Sequence, residues 1–500
     1  MSRWTYEELE GREWLESNGL GGYAASTFSG ANSRRYHGVL VAALNPPVEG
    51  RVLLSKLDES LRSSAQTHEL ADNRFPGRAP VNAESTLASF GRDLFPELEF
   101  EVAGARLRKT VACVHGENST LIRYELLAGP EDLSLELKPL LAPRGIHELA
   151  KANPALRWDF RFDQGLLRLN PYEGGPELFI LVPGSIFVPA PAWCYRFQYQ
   201  RELERGLDFE EDLFTYGHFE LPLRAGKALT VIVSTEDPSG KDSGRLWESE
   251  AGRREALRKP FSLGLGPQRR LALAADQFLV RRVTDPGTVI AGYPWFEDWG
   301  RDTMIALRGL CLSTGRYREA RDILSAFLGS MSQGMLPNRF PEQGSAPEYN
   351  SVDATLWFFV AVYDYYRKAG DRDFVFQTCL PALLDSLDWH RKGTRFGIHV
   401  AEDGLLSAGE PGVQLTWMDA KVGDQVVTPR QGKPVEVNAL WYNALRITQG
   451  LAQDAGRVAT AKELAGQAAR ARQAFEQIFW NAPLGCCYDV IAGDGPDASV

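Results

Sequence analysis

Apolar positions recur at two different periods along the chain, and the change of period divides it. Up to about residue 235 the repeat is two. Leu133, Leu135 and Leu137 alternate with Ser134 and Glu136, and Trp158, Phe160 and Phe162 with Asp159 and Arg161. The series closes on Leu229-Thr230-Val231-Ile232-Val233. Successive strand side chains point to opposite faces, so this alternation predicts strands with one buried and one wet face. Gly, Pro, Asn and Asp clusters separate them, and no helix long enough for a βαβ crossover intervenes. Antiparallel sheets packed as a β-sandwich over residues 1–240 are the expectation.

The polar, breaker-rich run Glu236-Asp237-Pro238-Ser239-Gly240-Lys241-Asp242-Ser243-Gly244 ends that pattern. A charged linker helix is expected over 241–262, with a domain boundary there. Beyond it the period becomes 3.6. Apolar spacing predicts helices at about 268–283, 303–315, 317–331, 352–369, 373–392, 436–453 and 457–481. The loops between them are aromatic and acidic. Helical hairpins over 263–500 that carry chemistry on loops at one end would fit.

Composition narrows the class. The chain has 500 residues, 44% of them hydrophobic and 24% charged, which suits a multidomain globular protein. Its net charge of -10, without a basic run, argues against a nucleic-acid partner. Six cysteines without a Cys-x-x-Cys pair give neither a disulfide framework nor a zinc site. The first residues lack the apolar core of a signal peptide. Prolines 183, 189 and 191 break the most apolar stretch, Leu178 to Tyr195, into strands and turns. A cytoplasmic protein without a membrane partner, a cofactor or a metal is expected.

Several chemistries lack their motifs. There is no Walker A loop, no Gly-x-Gly-x-x-Gly after a strand, no His-Glu-x-x-His and no Gly-x-Ser-x-Gly. Four segments remain. They are Tyr293-Pro294-Trp295-Phe296-Glu297-Asp298-Trp299-Gly300-Arg301-Asp302, Pro347 to Trp357, Thr416-Trp417-Met418-Asp419-Ala420, and Pro434 to Tyr442. Sugars account for this mixture. A pyranose presents an apolar face to Trp or Tyr and a hydroxyl edge to Asp, Glu and Arg, and glycosidic cleavage needs two carboxyl groups.

Each residue also has a plainer reading. Asp302 precedes a helical run and is equally an N-cap. Asp353, three residues after Asn350, reads as an N3 carboxylate favoured by the helix dipole, and Glu436 could serve a helix in the same way. Trp357 and Trp441 lie inside helices, where tryptophan is more often core. Arg301 could pair with a neighbouring acid.

At these residues the chain resembles the bacterial and archaeal glycogen debranching enzyme family, of the amylo-α-1,6-glucosidase type. Trp295 to Asp302, Tyr349-Asn350-Ser351-Val352-Asp353-Ala354, Trp417-Met418-Asp419-Ala420 and Asn438-Ala439-Leu440-Trp441-Tyr442-Asn443 carry the resemblance. Ser17-Asn18-Gly19-Leu20-Gly21-Gly22-Tyr23 and Arg34-Arg35-Tyr36-His37-Gly38 resemble the family's N-terminal sandwich. The resemblance implies an (α/α) helical toroid of the six-hairpin glycosidase type behind the sandwich. It also implies inverting hydrolysis of α-1,6-linked glucose stubs on glycogen-like α-glucans. Asp353 matches the family's general acid. Trp295, Asp298, Trp299, Arg301, Asp302, Trp417, Asp419, Asn438 and Trp441 match substrate-pocket positions.

Nothing after residue 443 matches the family's general base, for which Glu436 is the candidate within the chain. About seven helices, where a six-hairpin toroid needs about twelve, lead to the expectation of a toroid incomplete at its C-terminal end. No stretch resembles the glucanotransferase barrel of eukaryotic members, so transferase activity is not expected. Two other readings stay open on sequence grounds: another (α/α)-toroid glycosidase or phosphorylase, and a non-catalytic glucan-binding protein.

Overall fold

The computed structural model describes residues 4–64, 66–78, 86–261, 266–282, 287–340, 347–492 and 495–497. They form two compact units, Met1–Val283 and Thr284–Val500.

The first unit holds two antiparallel sheets. One runs in the order β1 (Glu13–Ser17), β2 (Tyr23–Thr27), β3 (Gly38–Asn45), β4 (Val48–Arg62), β10 (Ser134–Gly145), β15 (Glu210–Pro222) and β14 (Ile186–Gln198), with β5 (Thr67–Glu69) beside β4. The other runs β11 (Phe160–Asp163), β12 (Leu166–Leu169), β13 (Leu178–Leu181), β16 (Ala228–Ser234), β9 (Ser119–Ala128), β8 (Ala105–Cys113), β7 (Pro96–Val102) and β6 (Leu87–Arg92). The two-residue period decides which side chains meet. Leu135 of β10 stands opposite Leu61 and Leu221 in its own sheet. With Leu137 it enters one continuous core that also takes Val231 and Val233 from the second sheet. Ser134 and Glu136, out of phase, stay half-exposed. Trp158, expected to share the alternation of Phe160 and Phe162, lies before β11 and is 39% exposed.

Helix α1 (Ser243–Arg258) starts at Asp242, whose Oδ1 accepts from the amides of Gly244 and Arg245. Helix α2 (Gly266–Phe278), placed by its period at the opening of the helical domain, packs with the sandwich instead. Arg253 of α1 pairs with Asp276 of α2 at 2.8 Å, and Gln277 donates to the Leu15 carbonyl of β1. The units therefore divide at Val283/Thr284, later than the change in composition.

In the second unit the helices follow as α3 (Gly300–Leu307), α4 (Tyr317–Gly329), α5 (Asp353–Ala369), α6 (Leu380–Lys392), α7 (Val435–Asp454) and α8 (Val458–Ile478), the last two packed on each other as a hairpin. Helix α5 packs between α3 and α7. Its buried stripe, Leu356, Phe358, Phe359 and Val362, recurs at the spacing of one helix face and its flank. Gly370, at φ 68°, ends the helix in the left-handed conformation that glycine tolerates, with its amide donating to the Tyr366 carbonyl. Among the described residues, no helix is long and apolar enough to cross a membrane. Antiparallel sheets followed by helical hairpins are the architecture expected from the two periods.

Candidate active site

Three helices begin at the motif segments. A short hairpin, Thr288–Gly292 against Phe296–Asp298, delivers the chain to Trp299, an extended N-cap ahead of α3. The Gly300 amide donates to the Asn338 carbonyl at 2.8 Å. A Cβ on Gly300 would lie 2.3 Å from the Pro337 carbonyl oxygen, so only glycine lets these backbones approach so closely. Arg301 and Asp302 follow in the first turn. Trp299, not Asp302, is the N-cap, and its ring lies 6.0 Å under the Arg339 guanidinium.

Helix α5 begins at Asp353 itself, two positions earlier in the turn than the spacing from Asn350 implies. Ser351 Oγ accepts from the Ala354 amide at 3.2 Å and donates to Asp353 Oδ1 at 2.7 Å, so the serine supplies the cap. Asp353 is 2% exposed. Arg301 Nε lies 3.0 and 2.9 Å from its two oxygens, and Arg301 Nη1 reaches Asp419 Oδ2 at 3.2 Å. One guanidinium thus joins the first, second and third motifs. Burial opposes the charge of Arg301, but Asp353 and Asp419 outweigh it and hold the pKa above the ordinary arginine value. Desolvation also raises the pKa of Asp302, although solvent still reaches that residue. The Arg301 charge opposes this rise, while Asp419 and Asp353 add to it.

The Val352 amide donates to the Leu415 carbonyl at 2.9 Å, tying the start of α5 to the Trp417 loop. A cavity of about 610 Å³ opens beside these groups, lined by Arg301, Ile305, Asp353, Trp357, Trp417, Glu436 and, from α7, Ala439, Leu440, Tyr442 and Asn443. Trp417 stands 56% exposed at its edge. Glu436, in the first turn of α7, is gripped by Arg430, whose Nη1 and Nη2 donate to its two oxygens at 2.5 and 2.7 Å. Apolar rings facing a fringe of carboxylates and a guanidinium suit a pyranose.

Other motif residues do not reach this cavity. Asn438 is fully buried. Its Nδ2 donates to the carbonyls of Leu406 and Pro434, and its Oδ1 accepts from the Leu406 amide. Trp441, 1% exposed, donates from Nε1 to the Gly404 carbonyl and stacks on His390. Both brace α7 against the preceding loop, so Trp441 takes the core role that helical tryptophans usually have. Trp357, read the same way from sequence, is half-buried and lines the cavity instead. Asp298 is buried at the end of the hairpin strand, and Trp295 is half-buried in the turn before it. Arg430 and Asp489 belong to none of the sequence motifs. Their role appears only in three dimensions, because 59 residues separate them.

Sandwich, helical hairpins and carboxylates at helix starts define the class: the fold is that of the six-hairpin glycosidases. The crystal structure of a bacterial glucoamylase complexed with acarbose aligns over 98% of this chain and 69% of its own, with a TM-score of 0.54 and 11% identity. Residues 12–230 match the family described as glycogen debranching enzyme N terminal, and residues 273–500 the family described as amylo-alpha-1,6-glucosidase. The chain belongs to the glycogen debranching enzyme family. The glycogen debranching enzyme of Saccharomyces cerevisiae is 30% identical over an alignment 218 residues long, gaps included, and the match takes in 32% of this chain and 14% of the yeast protein. The chain thus spans about one seventh of the length of the yeast relative that it matches.

Proposed function

We propose that the protein hydrolyses α-1,6-linked glucose stubs on branched α-glucans with inversion at the anomeric carbon. The observation that carries this reading is that Asp353 and Glu436, from two different helix starts, line one cavity together with Trp357, Trp417 and Tyr442. In the proposed reaction Asp353 gives its proton to the glycosidic oxygen as the C–O bond breaks. Glu436 takes a proton from the water that attacks the opposite face of the sugar. The oxocarbenium-like charge forms between them. Proton delivery requires Arg301 to yield its hold on Asp353, and Asp419 offers the guanidinium an alternative partner. Trp417 stacks on the glucan beyond the scissile bond.

The test is glucose release from a dextrin with single α-1,6 glucose branches, in phosphate-free buffer, with linear maltooligosaccharide as the comparison. Release from the branched substrate alone supports the proposal. A requirement for phosphate would place the reaction among the phosphorylases, and binding without release would leave a glucan-binding protein.

A further inference from the structure

We infer that Arg430 and Asp489 form a positioning pair that sets both the orientation and the proton affinity of Glu436; the inference rests on the glycosidase reading above. Arg430 is 8% exposed, and its guanidinium is shared between two carboxylates. Nη1 and Nη2 hold Glu436 at 2.5 and 2.7 Å, while Nε and Nη2 hold Asp489 at 2.8 and 2.7 Å. A planar guanidinium with both edges engaged cannot rotate, so the carboxylate at its cavity edge is fixed in plane and direction. The backbone closes the same unit. The Val435 amide donates to the Asp489 carbonyl at 3.0 Å, and Pro434 pairs with Val490. The start of α7, Arg430 and the strand after Asp489 therefore form one piece.

Glu436 is held by Arg430, which Asp489 shares, and lines the cavity together with Arg301, Asp353 and Tyr442. The nearby Lys433 is matched by Asp403 at 2.5 Å. An arginine beside Glu436 favours the anion that must accept a proton from water. Asp489 works against this, because it is a second negative charge and draws on the same donors. Two carboxylates on one guanidinium leave the cluster net negative, so Glu436 does not have the arginine charge to itself.

The consequence is a pair of opposite shifts. A base must be ionised, so activity falls as pH drops through its pKa. Removing the Arg430 charge raises that pKa, and removing the Asp489 charge lowers it. Arg430→Met should move the acid limb of the pH–kcat profile up by about one unit or more, and Asp489→Asn should move it down. Arg430→Lys, which keeps the charge but cannot fork, should leave the limb near the wild-type position with a lower plateau. The same limbs are to be read in the Kd of 1-deoxynojirimycin, a glucose-shaped amine, by calorimetry across the same pH range. That readout needs no turnover.

If Arg430→Met does not fold, the contrast between Asp489→Asn and Arg430→Lys still decides. Lowered plateaus with unmoved limbs would reduce the pair to a structural brace and overturn the inference. A wild-type protein that releases no glucose, yet binds the amine with limbs that move as stated, would sink the glucosidase reading and spare this one. Failure of both glucose release and amine binding would overturn both.

Discussion

Arg301 Nε lies 3.0 and 2.9 Å from the two carboxylate oxygens of Asp353, a residue 52 positions further along the chain that is 2% exposed. A buried pair of this kind is costly to break from one side, because the remaining charge keeps its desolvation without its partner. Arg301→Met should therefore destabilise the protein by about 3–5 kcal/mol. Adding Asp353→Asn to it should cost less than the sum of the two single changes. Urea denaturation of the two single variants and the double variant measures the coupling. Additive losses would mean that the contact contributes no stability of its own.

Trp417 is 56% exposed on a loop at the cavity edge, so it buries little on folding. Trp417→Ala should weaken glucan binding by more than about 0.5–1.5 kcal/mol, since a stacked sugar face is lost along with its buried area. The melting temperature should change little. Isothermal titration with a maltooligosaccharide and a thermal melt check both halves. A large fall in melting temperature at unchanged affinity would assign Trp417 to packing.

Much of this arrangement is legible in the sequence, for a local reason. The helices expected at 352–369 and 436–453 are Asp353–Ala369 and Val435–Asp454, because a 3.6-residue apolar stripe is a property of a short window. The strands of residues 133–137 and 229–233 follow in the same way from period two. What the window cannot carry is the body that a stripe packs against. Helix α2 has the stripe of a toroid helix but covers the sandwich. Trp357 and Trp441 are alike as sequence, and only the rotation of each helix about its axis, 100° per residue, turns one to the cavity and the other to His390. The Arg430–Asp489 pair is invisible for the same reason. Neither residue stands in a pattern, and the contact exists only once Val490 has paired beside Pro434.

Glu13 of β1 gives a pH prediction for the sandwich. Burial would raise its pKa, but His37 Nε2 at 3.4 Å and Arg34 Nε at 3.0 Å outweigh burial and bring it to about 2, from an ordinary value of 4.5. A carboxyl with a depressed folded-state pKa stabilises the fold fully above its unfolded value, and that stability is lost as pH falls through the folded value. The melting-temperature gap between wild type and Glu13→Gln should thus close progressively as pH falls from about 5 towards 2. A gap independent of pH over that window would mean that the two partners do not act on the ionised form.

The proton donor is the centre of the account, and one rate comparison tests it. Single-turnover release of glucose from an α-1,6-branched dextrin should fall by ~10²-fold or more in Asp353→Asn, with glucan affinity retained. The isostere keeps the hydrogen-bonding edge of the carboxyl but has no carboxylic proton to give. The wild-type product, followed by NMR as it forms, should appear as β-glucose, the inverted anomer. Near-normal release by Asp353→Asn would contradict the account, and Asp353 would then be the buried partner of Arg301 and nothing more.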